Sequence, residues 1–554
     1  MINRRFLLAP LCAASCVPLL AGFAPARARV EPPKPSPTAP TAPTAPTTVP
    51  APAASPMPTV ASDAPSHPNV PSPNAPAAAE TAFQAGVAAY RKGDLQTAET
   101  QLTTATTGDP ENGDAQGWLG FLLLKRNKPG EAIPHLEKAV ALKPSAPDQY
   151  TNLGNALLLK PNRTPADTAR ALEMFGKAAT LSPDSGEAQL NLGLAYTRVG
   201  RPRDAVVAYR RATNLSAKDS RAWVALGQTY SALGDYASAA PAFRAASVLT
   251  PQKVEVWNAL GTVEARIPGG SKTAAITDLE TGRKLDGGTT ATLILLGTLY
   301  AQTAQRDAAA QAFSAAADKM QAAGAPEAAA ARYDQGVMLA AAGKPDEALV
   351  AYDRALALRP GYFDAAFNSG TLLLKMGKYA EAQARFEAAG AAKPGAFIVW
   401  RNLGLADIKQ NNETGAIAAW KRDIALDAND YPTRDALALL LVKRGDYDAA
   451  IPIYKQMTAL RPKSGAPWNA LGIAYQKKGD YESALAAFAT ATKREPTLAA
   501  AYNNQGVVYE KRAQFKLAIA SYRKALAVDP GFKDAQENLA RYNTKTSAST
   551  APNP

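Results

Sequence analysis

Small and apolar side chains recur along this chain in a fixed order. Within a frame of 34 residues, an aromatic or apolar residue falls at position 4, Leu at 7, a small residue at 8 and often Tyr at 11. A turn follows at about 14–16, commonly Gly-Asp or Gly-Lys, as in Gly234-Asp235, Gly445-Asp446 and Gly479-Asp480. Ala then stands at 20, an aromatic at 24, often Ala at 27, and Pro commonly closes the frame at 32. Each of the two sets of spacings traces one stripe of a 3.6-residue helix. Every frame therefore predicts two amphipathic helices around a short turn. Gly near 15 ends the first helix at little cost, and Pro at 32 stops the second.

The small residue at position 8 marks the frames. It is Gly86, Gly120, Gly154, Gly193, Gly227, Gly261, Gly297, Gly336, Gly370, Gly404, Ala438, Gly472 and Gly506, so thirteen repeats run from residue 79 to 532. The departures are local. Extra residues at Pro161–Asp167 in repeat 3 and Ala317–Glu327 in repeat 7 predict loops or irregular stretches. Repeat 6 carries Pro268-Gly269-Gly270 in its turn and Leu279 where an aromatic is usual. No single repeat can bury its apolar stripe alone, whereas stacked repeats bury it against each other. Residues 533–545 predict a polar capping helix, and 546–554 a loose tail.

Period, small residues, aromatics and closing Pro together resemble the tetratricopeptide repeat family over residues 79–532. The resemblance implies an all-α fold: a right-handed α-solenoid of about thirteen helix-turn-helix repeats, continuous from end to end. It also implies that first-helix positions near 2, 5, 6, 9, 12 and 13 line an inner, concave face.

The stretch before the array reads differently. Arg4 and Arg5 precede an uncharged, mostly apolar run from Phe6 to Ala24, and Ala26-Arg27-Ala28 has the small-x-small form of a cleavage site. Residues 1–28 thus read as a secretory signal peptide, with Pro10 and Pro18 opposing a stable spanning helix. An alternative is lipid anchoring at Cys16, since Ala13-Ala14-Ser15-Cys16 loosely follows a lipoprotein box. The expected location is secreted or periplasmic, with membrane attachment only through a lipidated Cys16. Residues 29–78 hold 16 Pro, including three successive Thr-Ala-Pro triplets at 38–46. With few large apolar groups to bury, that segment predicts a disordered spacer of polyproline II character. It is also a candidate ligand for a proline-binding surface.

Composition removes most chemistry. The 554 residues include two His and two Cys, and both Cys (Cys12 and Cys16) lie in the leader. Neither a Cys and His zinc site nor a Cys nucleophile can be assembled, and no Ser-His-Asp arrangement is plausible around His67 or His135. Lys272-Thr273 after Pro268-Gly269-Gly270-Ser271 lacks the spacing and preceding strand of a phosphate loop. No catalytic residue, metal or cofactor is expected. The formal charge of +13 falls to +10 once Arg4, Arg5 and Arg27 are cleaved away, too modest to point to nucleic acid.

What remains is surface. Position 6 is Asn at Asn152, Asn191, Asn368, Asn402 and Asn504. An amide donates and accepts at once, so such a row can pair with an extended peptide backbone, as the similar ladder of glycosyltransferase arrays does. The competing reading is that these Asn brace the neighbouring turn or helix. Position 13 is basic at Arg91, Lys125, Arg198 and Arg266, then at Lys375, Lys409, Lys443, Lys477 and Lys511. Equal slots of a solenoid stand in one row, so these cations favour acidic peptides or anionic glycans, unless they only complement helix ends. The sequence therefore predicts a non-catalytic protein-binding scaffold of the cell envelope. Its rival is a scaffold for anionic polysaccharide synthesis or export.

Overall fold

The structure is a computed structural model that describes residues 76–548. The expected leader, Cys16 and most of the proline-rich spacer lie outside the described residues, as does the end of the tail. The described residues form 27 helices and no strand. They divide into two compact bodies, one ending at Ala316 and the other beginning at Ala317. In each, consecutive helices pair and stack in the manner expected of an α-solenoid.

The pairing rests on one contact repeated along the chain. The Gly at position 8 of the first helix faces the side chain at position 24 of the second. A Cβ built on Gly193 would lie 2.5 Å from the Tyr209 ring, and one on Gly472 would lie 2.6 Å from Phe488. Where repeat 6 has Leu279, that side chain fills the same place against Gly261. Beside this contact the Ala at position 20 is fully buried in every repeat, from Ala98 to Ala518. Two small residues therefore bring the helices close enough for one large side chain to fill the space left between them.

The turns follow from local backbone chemistry. Gly93, Gly234 and Gly479 take φ of 81°, 78° and 90°, the left-handed region open to Gly. The next residue, Asp94, Asp235 or Asp480, caps the second helix by accepting a backbone N–H three residues on, at 3.0, 3.0 and 3.1 Å. Ala304 and Ala513 occupy the Gly slot with φ of 59° and 57°.

The two longer repeats correct the expected loops. Between the two helices of repeat 3 residues 160–164 are irregular. Thr164 then forms a capping box with Asp167, and the second helix runs as Pro165–Leu181. In repeat 7 the extra residues prolong the helix Arg306–Ala322 and leave a short turn at 323–327. The final helix is Lys533–Ala548, starting where the cap was expected. The first begins at Ala77, two residues before the expected start of the array.

Candidate binding groove

The Asn row divides into two kinds. Asn152 and Asn191 are buried on the first helices Pro147–Leu159 and Gly186–Arg198. Asn152 Nδ2 and Oδ1, and Asn191 Nδ2, have no hydrogen-bond partner among the described residues. Gln149 joins them: it packs on Gly117 of the preceding repeat, and both its amide atoms are equally unpartnered. Asn368 and Asn504 are engaged within the array. Asn368 donates to the Tyr333 hydroxyl at 3.0 Å, and Asn504 donates to Asn469 Oδ1 at 3.0 Å. The last helix continues this bridge, Asn538 donating to Asn503 Oδ1 at 2.9 Å. Position 6 thus reaches back to position 5 of the preceding repeat, which is the bracing role. Asn402 is half-buried.

The inner rows of repeats 1–4 are apolar around those amides. Tyr90, Trp118 and Phe121 form a cluster of edge-on rings with centroids 5.6, 5.5 and 6.0 Å apart. At slot 12 Leu124 and Leu158 continue from Tyr90 and are buried, while slot 9 is Val87, Phe121, Asn155 and Leu194 in repeats 1–4. In repeats 5–7 slot 9 is Gln228, Thr262 and Thr298, all polar and half-buried. First helices of neighbouring repeats touch in repeats 2 and 3, 4 and 5, 8 and 9, 9 and 10, and 12 and 13.

The basic slots are distributed over both bodies. In the first, Arg91 and Lys125 end their helices, and the Lys125 ammonium lies 5.2 Å from the Phe121 ring centroid. Arg198 is half-buried, and Arg266 lies over the Tyr236 ring at 5.5 Å. In the second body Lys375, Lys409, Lys443, Lys477 and Lys511 stand at the last turns of successive first helices and are exposed. Lys443 pairs with Glu413 at 2.9 Å. The other four make no ion pair among the described residues.

Buried acids were not foreseen in the sequence. Asp423 fills slot 27, where most repeats have Ala, and is inaccessible to solvent. It faces Asp430, which caps the helix Tyr431–Arg444, accepts from Thr433 Oγ1 at 2.6 Å and pairs with Arg401. Burial, then the hydrogen bond to Asp430 and its charge, push the Asp423 carboxyl up to about 8. The Asp430 carboxyl is held below its usual range: burial opposes ionisation, but hydrogen bonds from Asp423 and Thr433 and the Arg401 charge outweigh it. Repeats 5 and 6 hold a second such group, in which Arg244 pairs with Glu264. There burial and Glu264 raise Asp278 to about 7. Burial alone raises Asp334, at position 6 of repeat 8, to about 8. For Asp423 the signal available in the sequence was an acid in a slot that most repeats give to Ala.

No reactive arrangement accompanies these acids. His135 is half-buried, its Nδ1 donates to Gln116 Oε1 at 2.8 Å, and burial holds its pKa down. Ser271 caps the helix Lys272–Asp286 through the Ala274 N–H at 3.2 Å, so the Lys272-Thr273 stretch is an ordinary helix start. Among the described residues no three His, Cys, Asp or Glu side chains cluster as metal ligands. None of the described helices is long and apolar enough to cross a membrane.

Sequence models described as tetratricopeptide repeat match residues 83–159, 166–222, 196–254, 224–282 and 294–363, then 339–408, 441–504 and 499–532. No curated protein matches the chain. Similar solved structures include the MamA protein, 24% identical over 32% of this chain and 94% of its own, with a TM-score of 0.29. A tetratricopeptide repeat protein from Parabacteroides merdae is 21% identical over 45% of this chain and 97% of its own, with a TM-score of 0.29. The structure of Naa15/Naa10 bound to HypK-THB is 17% identical over 84% of this chain and 79% of its own, with a TM-score of 0.32.

Proposed function

Because the chain belongs to the tetratricopeptide repeat family, whose arrays are scaffolds for protein interaction, we propose that it serves as a non-catalytic adaptor of the cell envelope, holding extended segments of other proteins against the inner rows of its first helices. The observation that carries this is the group of buried amides at Gln149, Asn152 and Asn191, which lack partners among the described residues. A buried amide without a hydrogen bond costs about 1–3 kcal/mol, and because these three are at most 1% exposed, a peptide backbone would recover that cost only where the array opens over the row. The envelope location rests on the leader pattern of residues 1–28.

The test is a screen of extended peptides against the full chain, followed by Asn152→Ala and Asn191→Ala. Each substitution is expected to weaken peptide binding about tenfold, the equivalent of one backbone hydrogen bond, while leaving array stability unchanged or higher. Affinity unchanged in both variants would remove the amide row from the mechanism. Asn368→Ala is expected instead to loosen the contact with Tyr333. The exposed Lys375, Lys409, Lys477 and Lys511 favour a second reading, binding of an anionic glycan. That binding would weaken with salt and with Lys409, Lys443 and Lys477 changed to Glu; salt-insensitive binding would count against it.

A further inference from the structure

Slot 11 of the first helix is Leu or Tyr in ten of the thirteen repeats. Repeats 6 and 10 carry an acid there, Glu264 and Asp407, and both are buried. A buried carboxylate needs a cation or a full set of donors. Repeat 5 meets that need for Glu264: Arg244, at slot 25 of its second helix, pairs with it. Slot 25 therefore reaches slot 11 of the next repeat. Ahead of Asp407 the same slot holds Glu387. Burial raises the Asp407 carboxyl above its usual range, the Asn412 hydrogen bond opposes that, and the Glu387 charge adds to it. An acid thus faces an acid where the earlier junction has an ion pair.

We propose that this junction is a site for a cation supplied from outside the chain. The ligand is the ammonium or guanidinium group at the end of an alkyl stem. It binds with Asp407 Oδ2 at the base of the cleft between the second helices of repeats 9 and 10, Tyr379–Ala392 and Glu413–Leu426. The site stands apart from the inner rows of the first body and does not depend on them.

Three observations carry it. The first is space. Asp is shorter than the Leu or Tyr it replaces, and the small Gly415 and Ala419 of the second helix do not fill the gap. A cleft of about 250 Å3 remains. That is below the roughly 300–1,000 Å3 of sites for drug-sized molecules and leaves room for one side chain. Its rim is exposed to solvent at Glu387, Ala418 and Arg422.

The second is the base. Asp407 is 3% exposed. Its Oδ1 accepts from Asn412 Nδ2 at 2.8 Å, and its Oδ2 has no hydrogen bond among the described residues. A Cβ on Gly415 would stand 2.8 Å from that Oδ2, so the Gly leaves it uncovered. Glu387, held by Gln383 Nε2 at 2.9 Å, supplies a second negative charge.

The third is the wall. Trp400 and Leu403 line the cleft beside the carboxylate and suit an alkyl stem. The Arg422 guanidinium on the rim lies over the Trp400 ring, 3.9 Å from its centroid, and makes no ion pair among the described residues. A divalent metal takes about six oxygen ligands, and only two carboxylates line this cleft, beside an indole.

The test titrates the full chain with n-butylammonium and n-butylguanidinium, read by ligand-observed NMR. Saturable binding of at least one is expected. Asp407→Asn is expected to weaken it at least about tenfold, the equivalent of one charge-assisted hydrogen bond. Glu387→Arg changes an exposed side chain, so the fold is not at risk, and it installs the cation that Arg244 provides in repeat 5. That variant is expected to abolish binding and to slow hydrogen exchange in the helices Tyr379–Ala392 and Phe397–Lys409. Tighter binding of an uncharged-end tripeptide with a central Lys or Arg assigns the site to the side chain of a partner protein. Tighter binding of the free cation assigns it to a small amine. No saturation by either organic cation, even where Ca2+ binds, or affinity unchanged in Glu387→Arg, would overturn the proposal.

Discussion

Asp423 offers a test of the inter-repeat chemistry with a definite sign. Its carboxyl is fully buried opposite Asp430, whose charge is already matched by Arg401 and Thr433. Both Asp423 oxygens lack a donor, so the favourable state is the protonated acid, donating to Asp430. The folded protein holds this proton up to about pH 8, against an ordinary value of 3.8. Between those limits the native state binds more protons than the unfolded state, so stability falls as pH rises and levels off above about 8. At about 1.4 kcal/mol per unit the ceiling is about 5–6 kcal/mol. Water reaching the pair as the helices relax reduces this to on the order of 3 kcal/mol. Asp423→Ala restores the side chain that most repeats carry at slot 27. Near pH 5 the variant loses one hydrogen bond and is expected to be equal to the native chain or about 1 kcal/mol weaker. At pH 8 it is expected to be about 2–3 kcal/mol more stable in the helices Phe397–Lys409, Glu413–Leu426 and Tyr431–Arg444. Hydrogen exchange of those helices at the two pH values, corrected for intrinsic rates, reads the difference locally, where a global midpoint would average over the array. A variant that is less stable at pH 8, or a difference that does not change with pH, would refute the protonated-pair argument.

Three further outcomes follow from the same structure. Asp278→Asn is expected to remove a smaller pH dependence near repeat 6, because the Asp278 carboxyl is raised only to about 7; exchange of the helix Lys272–Asp286 across pH 5–8 checks it. Ala304→Gly and Ala513→Gly relieve left-handed backbone at φ of 59° and 57° and are each expected to stabilise their repeats by about 0.5–1 kcal/mol, measured by denaturant titration. Gly472→Ala drives a Cβ to 2.6 Å from the buried Phe488 ring and is expected to cost about 1–2 kcal/mol after the gain in helix propensity, seen as faster exchange in the helices Ala466–Lys478 and Tyr481–Arg494.

The fold was legible because the same steric demand is written thirteen times. Gly at 8 and Ala at 20 mean little singly, but their recurrence at fixed distance from an aromatic at 24 specifies which faces meet. The long repeats were misread where a local rule competed with a breaker. Pro161, Asn162 and Pro165 suggested a loop, while Thr164 and Asp167 encoded the helix start three residues apart. Ala315-Ala316-Ala317 gave no reason for a helix to end, and it did not. The candidate site was legible only in part. Whether an Asn at slot 6 is free or engaged depends on slot 5 of the preceding repeat, 35 residues away where that repeat has the standard length. Tyr333 and Asn469 at that slot occupy Asn368 and Asn504. Thr151 stands at slot 5 before Asn191, and there the Asn191 Nδ2 has no partner among the described residues. A row read along one slot misses this, since the chemistry lies in pairs of slots across neighbouring helices.

Repeat arrays gain stability from each repeat and from each junction with its neighbour, so a polar substitution is felt where it sits and little beyond. The buried acid groups obey that rule in an informative way. One joins Arg244 of repeat 5 to Glu264 and Asp278 of repeat 6, in the first body. The other joins Arg401 and Asp423 of repeat 10 to Asp430 of repeat 11, in the second. Each replaces apolar contact at a junction with an ion pair and a second acid. A buried ion pair seldom outweighs the hydrophobic packing it displaces. These two junctions are therefore weak points that the periodic pattern alone would not mark, set apart from the apolar rows of repeats 1–4 and from the exposed lysines of repeats 9–13. An array that must open to admit a segment would yield at such junctions before it disturbed the packing of Gly against aromatic that defines each repeat.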